Sequence, residues 1–135
     1  MLIRRWLPVL LLTLAALACQ TVTGGGPNAA APYLGAFDCY GTEGGLGAYA
    51  GRVTLNADGT ATFRNYDDQT QTGSWSFDPS TSTINFTGTI DVGSAVHDAS
   101  ADTMVVHLAS GAQVVHAEGG SMDCQRAKPG ITGPP

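Results

Sequence analysis

The side chains best suited to chemistry are three histidines, His97, His107 and His116, and the carboxylates around them. A turn at Ser110-Gly111 would pair Val106 with Val115 facing inward and set His107 and His116 diagonally on the other face. Their Cα atoms would then lie about 7 to 8 Å apart, close enough for two imidazoles to share an ion. A firm zinc site needs a third ligand, from His97, Asp98 or Asp102. Two solvent-facing strand residues are the simpler reading, so no metal or other cofactor is expected. Ser94, His97 and Asp98 make up a Ser/His/Asp set, but residues this common fall together by chance. G-x-S-x-G, H-E-x-x-H and the P-loop are all missing from the sequence, and the chain reads as a non-enzyme. Asp67-Asp68, and Asp98 with Asp102, could offer oxygens to calcium, yet neither run has EF-hand spacing and both read as solvated turn acids. Asn85-Phe-Thr87 matches a glycosylation sequon but falls inside an expected strand.

Composition narrows the partners and the class. The chain has 135 residues, 11 Asp+Glu and 6 Lys+Arg. That length fits one small domain, and an acidic balance repels phosphate backbones, so no nucleic-acid partner is expected. With 43% hydrophobic and 13% charged residues, enough apolar surface remains for a core. Arg4 and Arg5 precede an almost unbroken apolar run over 6–18, which ends at Cys19. The run spans roughly 20 Å as a helix, too short for a ~30 Å hydrocarbon core, so residues 1–18 read as a signal peptide. Ala16-Leu17-Ala18 satisfies the small-x-small rule of ordinary signal peptidase. Ala18-Cys19 also resembles the bacterial lipobox, with Ala16 where leucine is usual and Leu17 one place late. The lipobox likeness implies a thioether-linked diacylglycerol on Cys19 and a further acyl chain, such as palmitate, on its new amino group. Several chains anchor a protein far better than one. The membrane would be the outer membrane or the outer face of the cell membrane; a periplasmic or secreted protein is the alternative.

Residues 19–32, with the run QTVTGGGPNAAAP, read as a flexible tether. Loss of the signal leaves four cations against eleven acids, a net charge of −7. Cys39 and Cys124 lie near the two ends of the folded region, 33–127, and in an exported protein they are expected to form a disulfide. A redox or metal pair would call for CxxC spacing, which is missing. Residues 128–135 form a tail.

Between those cysteines short apolar/polar alternations are separated by turn residues, with no helical period. Strands are expected at 33–40, 49–55, 60–66, 73–78, 83–90 and 104–108, the last forming a hairpin with 112–117. A final short strand carries Cys124. Residues 91–102 read as a loop around a short strand at 95–97. Eight or nine antiparallel strands give an all-β fold, an up-and-down barrel or a tight sandwich. Tyr49, Phe63, Trp75, Phe77 and Phe86 are expected to face inward. They would either fill the barrel or line a pocket for a small apolar ligand, and filling is favoured in so short a chain.

The segments LNADGTATF and TGSWSFDPSTSTINFTGT, flanked by Cys39 and Cys124, resemble a recurrent type of small exported bacterial β-domain. That likeness implies architecture rather than activity. Gly35-Ala-Phe37 is similar to the G-x-W of lipocalin-like barrels, with Phe for Trp, which implies a carrier of a small apolar ligand. Lipoprotein inhibitors of C-type lysozyme are also small disulfide-closed barrels, but Gly93-Ser-Ala-Val-His97 does not reproduce their Ser-Gly-x-x-Tyr loop. The functional expectation is an envelope protein that binds a protein partner, as an interaction or inhibitor module; the alternative is the lipocalin-like carrier.

Overall fold

A computed structural model describes residues 31–42 and 47–130. The expected signal peptide, Cys19 and most of the tether lie outside the described residues. Eight strands succeed one another: β1 (Gly35–Gly41), β2 (Tyr49–Leu55), β3 (Thr60–Asn65), β4 (Thr70–Asp78), β5 (Thr83–Thr87), β6 (Val92–Asp98), β7 (Thr103–Leu108) and β8 (Ser121–Arg126). Each pairs antiparallel with the next, and β8 returns to β1 to close an up-and-down barrel. No helix occurs among the described residues.

The period of two that marks the strands also fills the barrel. Phe37 and Cys39, Val53 and Leu55, Ala61 and Phe63, Ile84 and Phe86, Met104 and Val106, and Met122 and Cys124 each sit two residues apart and are buried together. A water-sized void would leave accessible surface on its walls. Phe37, Val53, Phe63, Ile84, Val106 and Met122 have none, so side chains pack the centre of the barrel. Gly51 helps this packing: a Cβ there would run into the Phe63 ring and the Arg64 carbonyl. Cys39 and Cys124 stand directly opposite each other in the β1–β8 register and are joined by a disulfide spanning 85 residues of sequence. The first strand is thus bonded to the last, and the bridge is consistent with a compartment outside the cytoplasm.

Two parts of the chain depart from the sequence expectation. Residues 91–102 are not mostly loop, because Val92–Asp98 is a full strand bulged at Gly93. Residues 112–117 are not a strand at all. Val114 and Ala117 are both buried but are three residues apart, a spacing that suits a turn and not a strand, and the Ala117 N–H donates to the Val114 carbonyl. The partner of β7 is therefore β8: Val106 faces Met122, not Val115, and His107 faces Ser121. Closure with eight strands leaves no edge for a ninth.

Strand direction defines two ends. Chain entry, at Gly35, and the end of β8, at Arg126, share one end with the turns at 56–59, 79–82 and 99–102. Those three turns repeat one device at twenty-residue intervals. Asp58, Asp78 and Asp98 each accept, through Oδ1, the backbone N–H and the hydroxyl of the residue two places on: Thr60, Ser80 and Ser100. These bonds, from the hydroxyl first, lower the pKa of all three carboxyls. The far end carries the end of β1 at Gly41, the start of β2 at Tyr49, and the connections 66–69, 88–91 and 109–120.

Candidate functional site

At the entry end a partly buried network joins the lead-in segment to the barrel. Arg126 lies two residues beyond Cys124, in phase with the inward side chains of β8. Its guanidinium stands 4.2 Å over the Phe37 ring and donates to Asp102 through Nε, 3.0 Å from Oδ2, and Nη2, 3.0 Å from Oδ1. It also donates to the carbonyls of Leu34 and, at 2.7 Å, Pro32. His97, in phase with buried Ala95 on β6, completes the group with Nε2 at 3.1 Å from Asp102 Oδ1. Tyr33 is thereby held over the barrel mouth, edge-on to Trp75 at 5.5 Å and stacked on Phe77 at 5.2 Å.

The Arg126 hydrogen bonds, followed by the one from His97, lower the Asp102 carboxyl from 3.8 to about 2. This acid ionises more readily in the folded chain, so its contribution is complete above its ordinary value and is lost as the pH falls toward 2. The carboxyl is about half exposed, which cuts the contribution to about 1 kcal/mol after solvent screening. Urea unfolding of wild type and Asp102→Asn should therefore differ most above about pH 4 and converge between about pH 4 and pH 2, as only wild type loses the contribution of this carboxylate. Parallel pH profiles would refute the coupling.

The far end has a different character. Residues 109–120 fold over the barrel mouth, with Val114 and Ala117 buried beneath. The loop is seated tightly, since a side chain at Gly41 would collide with the His116 carbonyl. His116 has φ 68° and lies edge-on to Tyr66 at 4.8 Å. Tyr66 is 49% exposed and Val115 is 44% exposed. Beside them is a cleft of about 510 Å³ lined by Ala112, Gln113, Val114, Val115 and Glu118. Asp67, Asp68 and Glu118 are exposed around this end, and Arg64 pairs with Asp68 at 3.4 Å.

The residues singled out in the sequence are distributed as follows. His107 points outward from β7 while His116 sits in the far-end loop, so the hairpin face on which they were to meet does not exist. Among the described residues no group of three or more His, Cys, Asp or Glu is placed to hold a metal. Ser94 and His97 occupy opposite faces of β6, and Asp98 is engaged by Ser100, so no triad forms. Asn85 is exposed on β5. Of the five aromatics expected inside, Phe63, Trp75 and Phe86 are buried.

Tyr49 is not inside. The β1–β2 register skips Ala50, so Tyr49 pairs with Tyr40 on the outer wall, where their rings meet at 5.8 Å. Phe77 reaches only the entry rim and is 38% exposed. A second cleft, of about 320 Å³, lies over β7, β8 and β1 and is lined by Tyr40, Thr103, Val105 and Asp123 among others.

Sequence reasoning missed Arg126, Tyr33, Tyr66 and Val115. Arg126 did carry a signal, as an arginine in step with buried Met122 and Cys124 at a strand end. Tyr66 and Val115 carried none, because their exposure depends on how a connection folds. No family model, curated protein or solved structure matches the chain.

Proposed function

We propose that this chain is a cell-envelope lipoprotein, anchored through lipid on Cys19, whose barrel presents its far-end loops to another envelope protein. The observation that carries this reading is the division of labour between the two ends. The lead-in segment is clamped at one end by Arg126, and at the other Val115, on the longest loop, and Tyr66, on the neighbouring 66–69 turn, are exposed. An anchor at Cys19 would turn the far end away from the bilayer. Rigid scaffolds commonly carry binding residues on such loops. Packing of the interior by Phe37, Phe63, Ile84 and Met122 favours this role over carriage of an apolar ligand in the barrel.

Photo-crosslinking in cells tests the reading. A photoreactive residue at Tyr66 or Val115 should give a discrete adduct in the membrane fraction, while one at Ser80 on the entry end should give none. In a Cys19→Ser background the protein should leave that fraction. Equal adducts from both ends would overturn the assignment of the binding face, and retention of Cys19→Ser in the membrane would overturn the anchor.

A further inference from the structure

We infer that the far-end cleft receives an arginine or lysine side chain of the protein partner, its aliphatic stem against Val114 and Val115 and its charge on Glu118. This rests on the far end being the interaction surface and names the chemistry of its partner. Three observations carry it.

The cleft is lined by the apolar side chains of Ala112, Val114 and Val115, by the neutral amide of Gln113, and by a single ionisable residue, Glu118. A guest that satisfies both must be apolar along its length and cationic at its tip, which describes the long basic side chains. Its volume of about 510 Å³ accommodates such a side chain with part of its backbone.

Glu118 is also preorganised without being neutralised. Its Oε1 accepts the His116 backbone N–H at 3.1 Å, which orients the carboxylate. Hydrogen bonds from its own N–H and then from that of His116 lower its pKa, keeping it ionised. No lysine or arginine among the described residues pairs with it, and Arg64 is committed to Asp68. Finally, the charge around the cleft points the same way. Asp67 stands beside Tyr66, and the chain without residues 1–18 carries a net charge of −7, so a cationic partner is drawn to the protein and an anionic one repelled. Tyr66 and its neighbour His116 supply an aromatic edge to the same rim.

The test is a titration of the whole isotopically labelled protein, disulfide intact, followed by NMR. The probes are acetyl-Val-Arg-Val-amide, its norleucine analogue and agmatine. Saturable shifts at Ala112, Val114, Val115 and Glu118 are expected with the arginine peptide, at least tenfold weaker with norleucine and with agmatine. Glu118→Gln, which keeps an acceptor for the His116 N–H, should weaken the arginine peptide at least fivefold; Val115→Ser should weaken both peptides alike.

Equal binding of the norleucine peptide, or indifference to Glu118→Gln, would overturn the cationic guest. Agmatine binding as tightly as the peptide would replace the protein partner with a small amine. Charge-selective peptide binding without far-end crosslinks would count against the interaction role alone, whereas far-end crosslinks without charge selectivity would count against this inference alone.

Discussion

Replacing Cys39 and Cys124 together by alanine should lower the stability of the barrel by about 4 kcal/mol. The bridge closes a loop of 85 residues, for which the chain-entropy model gives about 4.5 kcal/mol at 25 °C. Small domains hold only about 5 to 15 kcal/mol in total, so the loss would consume much of the margin. The position of the bridge adds to its effect. It joins the one pair of strands, β1 and β8, that are distant in sequence, while every other seam in the barrel is a local hairpin. Urea unfolding of the oxidised protein, the reduced protein and the double alanine variant measures the term. Midpoints for the last two should coincide well below the first. A reduced protein within about 1 kcal/mol of the oxidised one would show that the seam holds through packing and ladder hydrogen bonds.

The second large effect is expected at Arg126. Methionine there keeps an unbranched apolar side chain over Phe37 but removes every donor, leaving Asp102 with only His97 and the carbonyls of Pro32 and Leu34 without the guanidinium. Breaking a buried pair costs about 3 to 5 kcal/mol, and an exposed pair less than about 1. Arg126 and Asp102 are partly exposed, so Arg126→Met should cost about 2 kcal/mol. The loss should be local as well as global. Amide exchange at Tyr33, Leu34 and Gly35 should accelerate far more than exchange at Val53 or Phe63. Arg126→Lys keeps the charge without the fork and should fall between wild type and methionine. Uniform acceleration across the barrel would mean that the arginine supports the fold and not the lead-in segment.

Much of this architecture is legible in the residues. TATF and TINF declare their inward positions by strict alternation, and N-A-D-G declares a turn, because side chains on a half-buried sheet obey a period that sequence displays directly. The disulfide was legible for a different reason: two cysteines bracketing an exported all-β segment have few other roles. What failed was alternation that local folding overrode. VVHA at 114–117 has strand-like composition, yet its buried residues are spaced by three. Tyr49 shares the parity of Val53 and Leu55, yet a bulge at Ala50 turns it outward. A single extra residue reverses the facing of everything beyond it, and no propensity marks where a ladder will skip. The candidate binding rim lay beyond the sequence for the same reason. Its exposed residues sit in connections, where tertiary contacts such as that between Gly41 and His116 decide which side chains remain outside.

The placement of the disulfide has a mechanical consequence. A pull on the chain ahead of Ala31 enters the barrel through Pro32 and is met first by the Arg126 clamp, a set of charge-assisted hydrogen bonds that break singly. Beyond it only residues 35–38 of β1 can be peeled from their neighbours before the load reaches Cys39. There a covalent link hands the tension across to β8, bypassing the hydrogen-bonded ladders. The barrel would therefore yield under load in two stages, a soft one confined to the first four residues of β1 and a stiff one that spares the far end. Were the barrel hung from Cys19 and gripped at its opposite pole, as proposed, it would keep that grip under such tension.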